Sequence, residues 1–304
     1  GRPLWTGKVE DHPSSRVTGS PTLHDGRLYV PTTGVAEENS VAQAAYECCT
    51  FRGSLVSLDA ATGKQIWKTY TIPRTPEPLG KNSAGTQLRA PSGAAIWSSP
   101  ALDPERNRIY VTTGDSYSAP AAPESDAIMA LGMDNGRVLW IRQTLPSDAW
   151  NTACLGTSAS DKVNCPSQAG PDHDFGSSPA LVTTSNGQRL LLAGQKSGGM
   201  FGLNPDTGEV LWKTQVGEGG VLGGDHEGRD VGQVGREAAL VLEAHAERRA
   251  VEVRPQPRHD AADSRRRGSR TRAGSAHGRP ARPGALRGAR MRDVPRPRRP
   301  GYQG

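Results

Sequence analysis

The feature that most constrains this chain is a repeat that ends on tryptophan. SLDAATGKQIW runs from Ser57 to Trp67, ALGMDNGRVLW from Ala130 to Trp140, and GLNPDTGEVLW from Gly202 to Trp212. Gly1-Arg2-Pro3-Leu4-Trp5 reads as the stub of a fourth copy, and each copy has glycine, three residues, then tryptophan. Consecutive anchors are 62, 73 and 72 residues apart. Between them lies a second phrase, GSPTLHDGRLYVPTTG, SSPALDPERNRIYVTTG and SSPALVTTSNGQRLLLAG, built around Ser20-Pro21, Ser99-Pro100 and Ser178-Pro179.

Each phrase reads as strand, turn, strand. Leu28-Tyr29-Val30, Ile109-Tyr110-Val111 and Leu190-Leu191-Leu192 are short apolar runs between turn-forming residues. The Asp/Asn-x-x-Thr-Gly and Asp-Asn-Gly segments supply the positive-φ turn of a hairpin, with Gln-Ile-Trp or Val-Leu-Trp as its second strand. Four short strands per period, without helical periodicity up to Gly224, predict an all-β fold of β-propeller blades rather than a sandwich. The bland role for each repeat tryptophan is packing between neighbouring blades. The period exceeds the ~40–50 residues of plain propeller repeats, and the excess falls in Tyr70 to Pro91 and Pro146 to Pro171. Long loops in a compact fold are where a site should be sought.

The pattern stops abruptly. Residues 1–224 carry 18 Lys and Arg against 21 Asp and Glu, and residues 225–304 carry 19 Arg, no Lys and 10 acids. The sequence pI of 9.3 therefore belongs to the second part, so no nucleic-acid partner is expected for the propeller. Two readings of residues 225–304 stand side by side: a disordered basic arm that neutralises phosphate, or the product of a shifted frame in GC-rich DNA. The simultaneous loss of lysine and of the repeat favours the second. Three to four blades do not close a ring, so the chain is expected to be a fragment of a larger propeller.

No apolar run approaches the ~18–20 residues of a membrane span, and the residues from Gly1 onward do not read as a charged-then-apolar leader. The four cysteines, Cys48, Cys49, Cys154 and Cys165, fit either two disulfides in an oxidising compartment or four free thiols. There is no Cys-x-x-Cys-His for covalent haem and no Gly-x-Gly-x-x-Gly for a nicotinamide cofactor.

Gly-x-x-x-Trp preceded by Asp/Asn-x-x-Thr-Gly resembles the tryptophan-docking motif of the quinoprotein alcohol dehydrogenases, eight-bladed propellers with pyrroloquinoline quinone (PQQ) on the axis. YECCTFRG (Tyr46 to Gly53), GAAIWSSPALD (Gly93 to Asp103), TTGDSYS (Thr112 to Ser118), GPDHDFGSSPAL (Gly170 to Leu181) and GQKSGG (Gly194 to Gly199) are similar to the polyvinyl-alcohol dehydrogenase branch. The resemblance implies a vicinal Cys48–Cys49 disulfide against one face of the quinone and Trp97 against the other. Each has a plain alternative, two reduced buried thiols and a core tryptophan. Arg52 beside the cysteine pair and Lys196 in GQKSGG join the implied cofactor-binding set, and a solvated hairpin lysine is the alternative for Lys196.

Quinone oxidation of an alcohol needs a cation on the carbonyl oxygen and a base for the hydroxyl proton. By resemblance Asp115 is an oxygen ligand to calcium, with Glu47 a second candidate, and oxygen donors suit that ion. Asp172 and Asp174 flank His173 in the segment that supplies the base, and Asp174 is preferred because it directly precedes Phe175-Gly176. Cys154 and Cys165 are expected to staple the long insertion. The resemblance implies oxidation of polyvinyl alcohol or related secondary alcohols, transfer of electrons to cytochrome c or another acceptor, and a periplasmic or secreted setting. The competing reading is a non-catalytic propeller scaffold of the outer-membrane assembly type, which has no use for the cysteine pair, Trp97 or the aspartate-rich insertion.

Overall fold

The computed structural model describes residues 1–221, so the reading of residues 225–304 lies outside the described residues. Three four-stranded antiparallel sheets follow one another along the chain. The first contains β1 (Thr22–His24), β2 (Arg27–Thr32), β3 (Ser54–Asp59) and β4 (Gln65–Tyr70). A separate hairpin, β5 (Glu77–Lys81) with β6 (Gln87–Ala90), occupies the first long insertion. The second sheet is β7 (Ala101–Asp103), β8 (Arg108–Thr112), β9 (Ala127–Gly132) and β10 (Val138–Gln143). The third is β11 (Ala180–Thr183), β12 (Arg189–Gly194), β13 (Gly199–Leu203) and β14 (Val210–Gln215). Every sheet is an up-and-down meander with strands in chain order, which is the construction of a propeller blade.

Burial explains why the middle strands read as continuous apolar runs. β9 and β13 are buried at every position, and β8 and β12 at all but the first. The strands of the second blade meet a neighbouring blade on both faces, so polar alternation there would bury unpaired groups. One core joins the first and second blades through Tyr29, Leu55, Ile109, Val111, Met129 and Leu131. A second joins the second and third through Tyr110, Ile128, Phe175, Leu191, Phe201 and Leu203.

The tryptophans stitch blade to blade as the repeat predicts. The Trp5 Nε1 donates to the Ala60 carbonyl at 2.9 Å, the Trp67 Nε1 to Met133 at 3.0 Å, and the Trp140 Nε1 to Pro205 at 3.2 Å. Those acceptors occupy equivalent positions in the next repeat. Each ring also lies on the turn glycine of that repeat. A Cβ on Gly63 would stand 2.6 Å from the Trp5 ring, and one on Gly136 or Gly208 would stand 2.5 Å from Trp67 or Trp140. The same glycines have φ of 72°, 68° and 69°, so sterics and backbone conformation both demand glycine.

Two elements depart from the sequence expectation: the β5–β6 hairpin lies in a segment read as a long loop, and a helix is present. A six-residue helix, α1 (Val35–Ser40), follows β2, too short for any periodicity to reveal it.

Candidate active site

The second and third blades bring the aspartates together at one end of their strands. Asp115 lies just past β8, Asp172 and Asp174 lie on the segment entering β11, and Lys196 is in the turn between β12 and β13. Carboxylate oxygens of Asp115, Asp172 and Asp174 lie within 4.8 Å of one another. The Lys196 Nζ donates to Asp172 Oδ1 at 2.8 Å and to Asp174 Oδ2 at 2.9 Å. The Asp115 amide donates to Asp174 Oδ1 at 2.6 Å. Backbone bonds lock the arrangement: the Lys196 amide donates to the Asp174 carbonyl at 2.8 Å, and the Phe175 amide to Thr113 at 3.4 Å.

Three carboxylates against one ammonium in a buried space leave uncompensated negative charge. Burial pushes the Asp115 carboxyl well above the ordinary carboxylate range, and the charge of Asp174 pushes it further. Asp172 is pushed up to about 7 by burial and then by Asp174, against the pull of Lys196. Lys196 is raised because the Asp174 and Asp172 charges outweigh its burial. Asp115 Oδ2 is buried without a hydrogen-bond partner among the described residues. A hard cation is the group that such an oxygen, beside two further carboxylates, is suited to hold.

Trp97 adjoins this cluster. The Lys196 Nζ sits over its ring at 5.4 Å from the centroid, and a Cβ on Gly176 would lie 2.6 Å from that ring. Trp97 also packs against the cluster that contains Cys48, Cys49, Phe51, Ala95 and Tyr117. A disulfide joins Cys48 to Cys49, both buried, and a second joins Cys154 to Cys165 in the second long insertion.

Both insertions serve the disulfide loop. The Arg89 amide of β6 donates to the Cys48 carbonyl at 2.7 Å, and the Cys49 amide returns a bond to Arg89 at 3.3 Å. From the other insertion, the Asn164 Nδ2 donates to the Val41 and Gln43 carbonyls at 3.0 Å each, while the Asn151 Nδ2 donates to Tyr117 at 2.9 Å.

Two expected site residues lie elsewhere. The Glu47 side chain is 63% exposed and pairs with Arg89 at 3.7 Å, so it offers no oxygen to the aspartate cluster. The chain direction at the buried cysteine pair turns it toward solvent. Arg52 lies over the Tyr70 ring at 3.9 Å and donates to the Ile72, Pro73 and Arg74 carbonyls. Those contacts tie it to the chain that leaves β4.

Three other acids belong to the neighbourhood and escaped the sequence reading. Glu38 in α1 is raised by burial and by the Asp174 charge, with Tyr117 and Lys196 opposing. Asp148 is fully buried and accepts from the Asp172 amide at 3.2 Å and the His173 amide at 2.9 Å, fixing the segment that carries the aspartate pair. Asp126 is fully buried with both carboxyl oxygens unpartnered among the described residues, and burial followed by Asp174 pushes it up to about 10. A signal for Glu38 was present. It follows Thr32-Thr33-Gly34, the same phrase that delivers Asp115 after Thr112-Thr113-Gly114, and Lys196 follows the equivalent Leu192-Ala193-Gly194.

Residues 6–154 match the PQQ family described as the glucose/ethanol/alcohol dehydrogenase β-propeller domain. The polyvinylalcohol dehydrogenase of a Pseudomonas species is 41% identical over 225 residues, which are 74% of this chain and 34% of that protein. That of Sphingopyxis sp. (strain 113P3) is 42% identical over 226 residues, again 74% of this chain and 34% of the relative. The quinohemoprotein alcohol dehydrogenase ADH-IIG of Pseudomonas putida is 28% identical over 173 residues, 50% of this chain and 22% of that protein. The chain thus spans about a third of the length of the polyvinylalcohol dehydrogenases it matches.

Proposed function

Because this chain belongs to the PQQ-dependent quinoprotein alcohol dehydrogenase family, we propose that its blades supply part of the active site of an alcohol oxidation, with polyvinyl alcohol or related secondary alcohols as the substrate class. The observation that carries this reading is the buried trio Asp115, Asp172 and Asp174 gathered around Lys196. A scaffold propeller gains nothing from three carboxylates crowded in the interior, since each costs desolvation unless it is used.

The residues fit the groups that the family implies. Asp115 Oδ2, buried and unpartnered among the described residues, would bind calcium, a cation suited to oxygen donors. Trp97 and the Cys48–Cys49 disulfide would hold PQQ by its flat faces, and Lys196, over the Trp97 ring, would donate to its oxygens. When bound, PQQ supplies the two-electron oxidant and calcium the positive charge that makes the quinone a better acceptor.

The chain's own contribution is proton transfer and positioning. Asp174 takes the substrate hydroxyl proton, while the Asp115 amide and Lys196 hold its carboxylate in one orientation. Asp172 shares the same ammonium and so helps to hold Lys196 beside Asp174. Electrons would then pass to a cytochrome-type acceptor. The two disulfides suit an oxidising compartment such as the periplasm.

The test is dye-linked oxidation of a secondary alcohol by the protein these blades belong to, with PQQ and calcium added. Asp174→Asn keeps size and most hydrogen bonding but removes the base, and it is expected to cut turnover ~10²–10⁴-fold with PQQ binding nearly unchanged. Asp172→Asn is expected to be milder. Loss of turnover only in Asp172→Asn would reverse the assignment within the pair. Activity with NAD in place of PQQ would reject the whole reading.

A further inference from the structure

Glu37 is fully buried, and both of its oxygens are spent on one short loop. Its Oε1 accepts from the Tyr46 hydroxyl at 2.9 Å, the Thr50 amide at 2.9 Å and the Thr50 hydroxyl at 3.3 Å. Its Oε2 accepts from the Phe51 amide at 2.8 Å. Those donors bracket Cys48–Cys49 on both sides. On the far side the disulfide segment is held by the two backbone bonds to Arg89 and the contact of Cys49 Sγ with the Tyr117 carbonyl at 3.8 Å.

The helix that carries Glu37 does not stand on its own. α1 is six residues long and its Gly34 N-cap offers no side-chain bond, so tertiary contacts must hold it. Gly34 lets the Phe51 and Tyr117 rings close over its backbone, where a Cβ would stand 2.9 Å from the Tyr117 ring. The outcome is a carboxylate placed beneath the disulfide loop.

We propose that Glu37 is the positioning residue of the Cys48–Cys49 disulfide, fixing how that pair presents itself to the cluster it shares with Tyr117 and Trp97. The importance of that presentation rests on the proposed PQQ site, but the clamp itself does not. The chemistry selects glutamate specifically. Aspartate is one methylene too short to reach both ends of the loop. Glutamine turns one acceptor into a donor, so either the Phe51 amide or the Tyr46 and Thr50 donors would face an N–H group.

The test counts thiols in the full 304-residue chain without cofactor. The chain is equilibrated in redox buffers with an increasing ratio of reduced to oxidised dithiothreitol, trapped with an alkylating agent, and each cysteine pair is scored by mass spectrometry. Cys154–Cys165 is the internal reference. Glu37→Gln is expected to shift half-reduction of Cys48–Cys49 to about tenfold lower reductant, with Cys154–Cys165 unmoved. Tyr46→Phe, which removes one donor, is expected to give a smaller selective shift. Should both pairs shift together in Glu37→Gln, Tyr46→Phe decides: a selective shift supports the clamp and its absence overturns it. An unchanged Cys48–Cys49 response in both variants also overturns it. PQQ retention is measured separately, so a failed cofactor reading leaves this result standing.

Discussion

Asp115 has one carboxylate oxygen buried without a partner among the described residues, with two further carboxylates within 4.8 Å. That state is costly for a side chain with no task, because a buried acceptor forfeits its water and regains nothing. Glu47 is the opposite case, a mostly exposed acid whose ion pair with Arg89 contributes little. Calcium affinity measured by calorimetry is therefore expected to fall at least about tenfold in Asp115→Asn and to be unchanged in Glu47→Gln. The contrast shows which residues a sequence can reveal. Asp115 and Lys196 lie one and two residues past the glycine that closes a recurring phrase, and Asp174 lies shortly before a recurring Ser-Pro phrase, so the repeat itself aims them at one place. Glu47 lies in a loop without a counterpart in the other blades, and nothing local indicates that its side chain turns outward. Asp126 and Asp148 were illegible for another reason: their role depends on burial among residues distant in sequence.

At the scale of the element, the repeat tryptophan and the turn glycine of the next blade form one device. The four short strands per repeat were readable because each is short and bounded by turn residues. Helix α1 was not, since six residues make fewer than two turns. The docking device predicts a graded response to alanine. Gly26 has φ 69° with open space where a Cβ would stand, so Gly26→Ala adds only the left-handed backbone strain, about 1 kcal/mol. Gly136 has φ 68°, and a Cβ there would stand 2.5 Å from the Trp67 ring. Gly136→Ala is therefore expected to cost about 3 kcal/mol or more, because the blade contact must also open. Urea denaturation of the two variants checks the order. Equal midpoints would mean that the tryptophan is not seated as described.

At the scale of the molecule, the site is an inter-blade product. Asp115 comes from the second blade, Lys196 from the third, and Cys48–Cys49 from a loop of the first. The two long insertions tie that loop in place through Arg89 and Asn164. Trp5, Trp67 and Trp140 each find a docking partner, whereas the Trp212 indole has no equivalent Nε1 bond among the described residues. The central claim is that these blades assemble a calcium-dependent PQQ site from Asp115, Trp97, Lys196 and the vicinal disulfide. Equilibrium dialysis of PQQ against the full chain, with and without calcium, tests it most directly. The account predicts that PQQ is retained when calcium is present, released when calcium is chelated, and not retained by Asp115→Asn. PQQ held equally well without calcium and by Asp115→Asn, or not held at all, would contradict it.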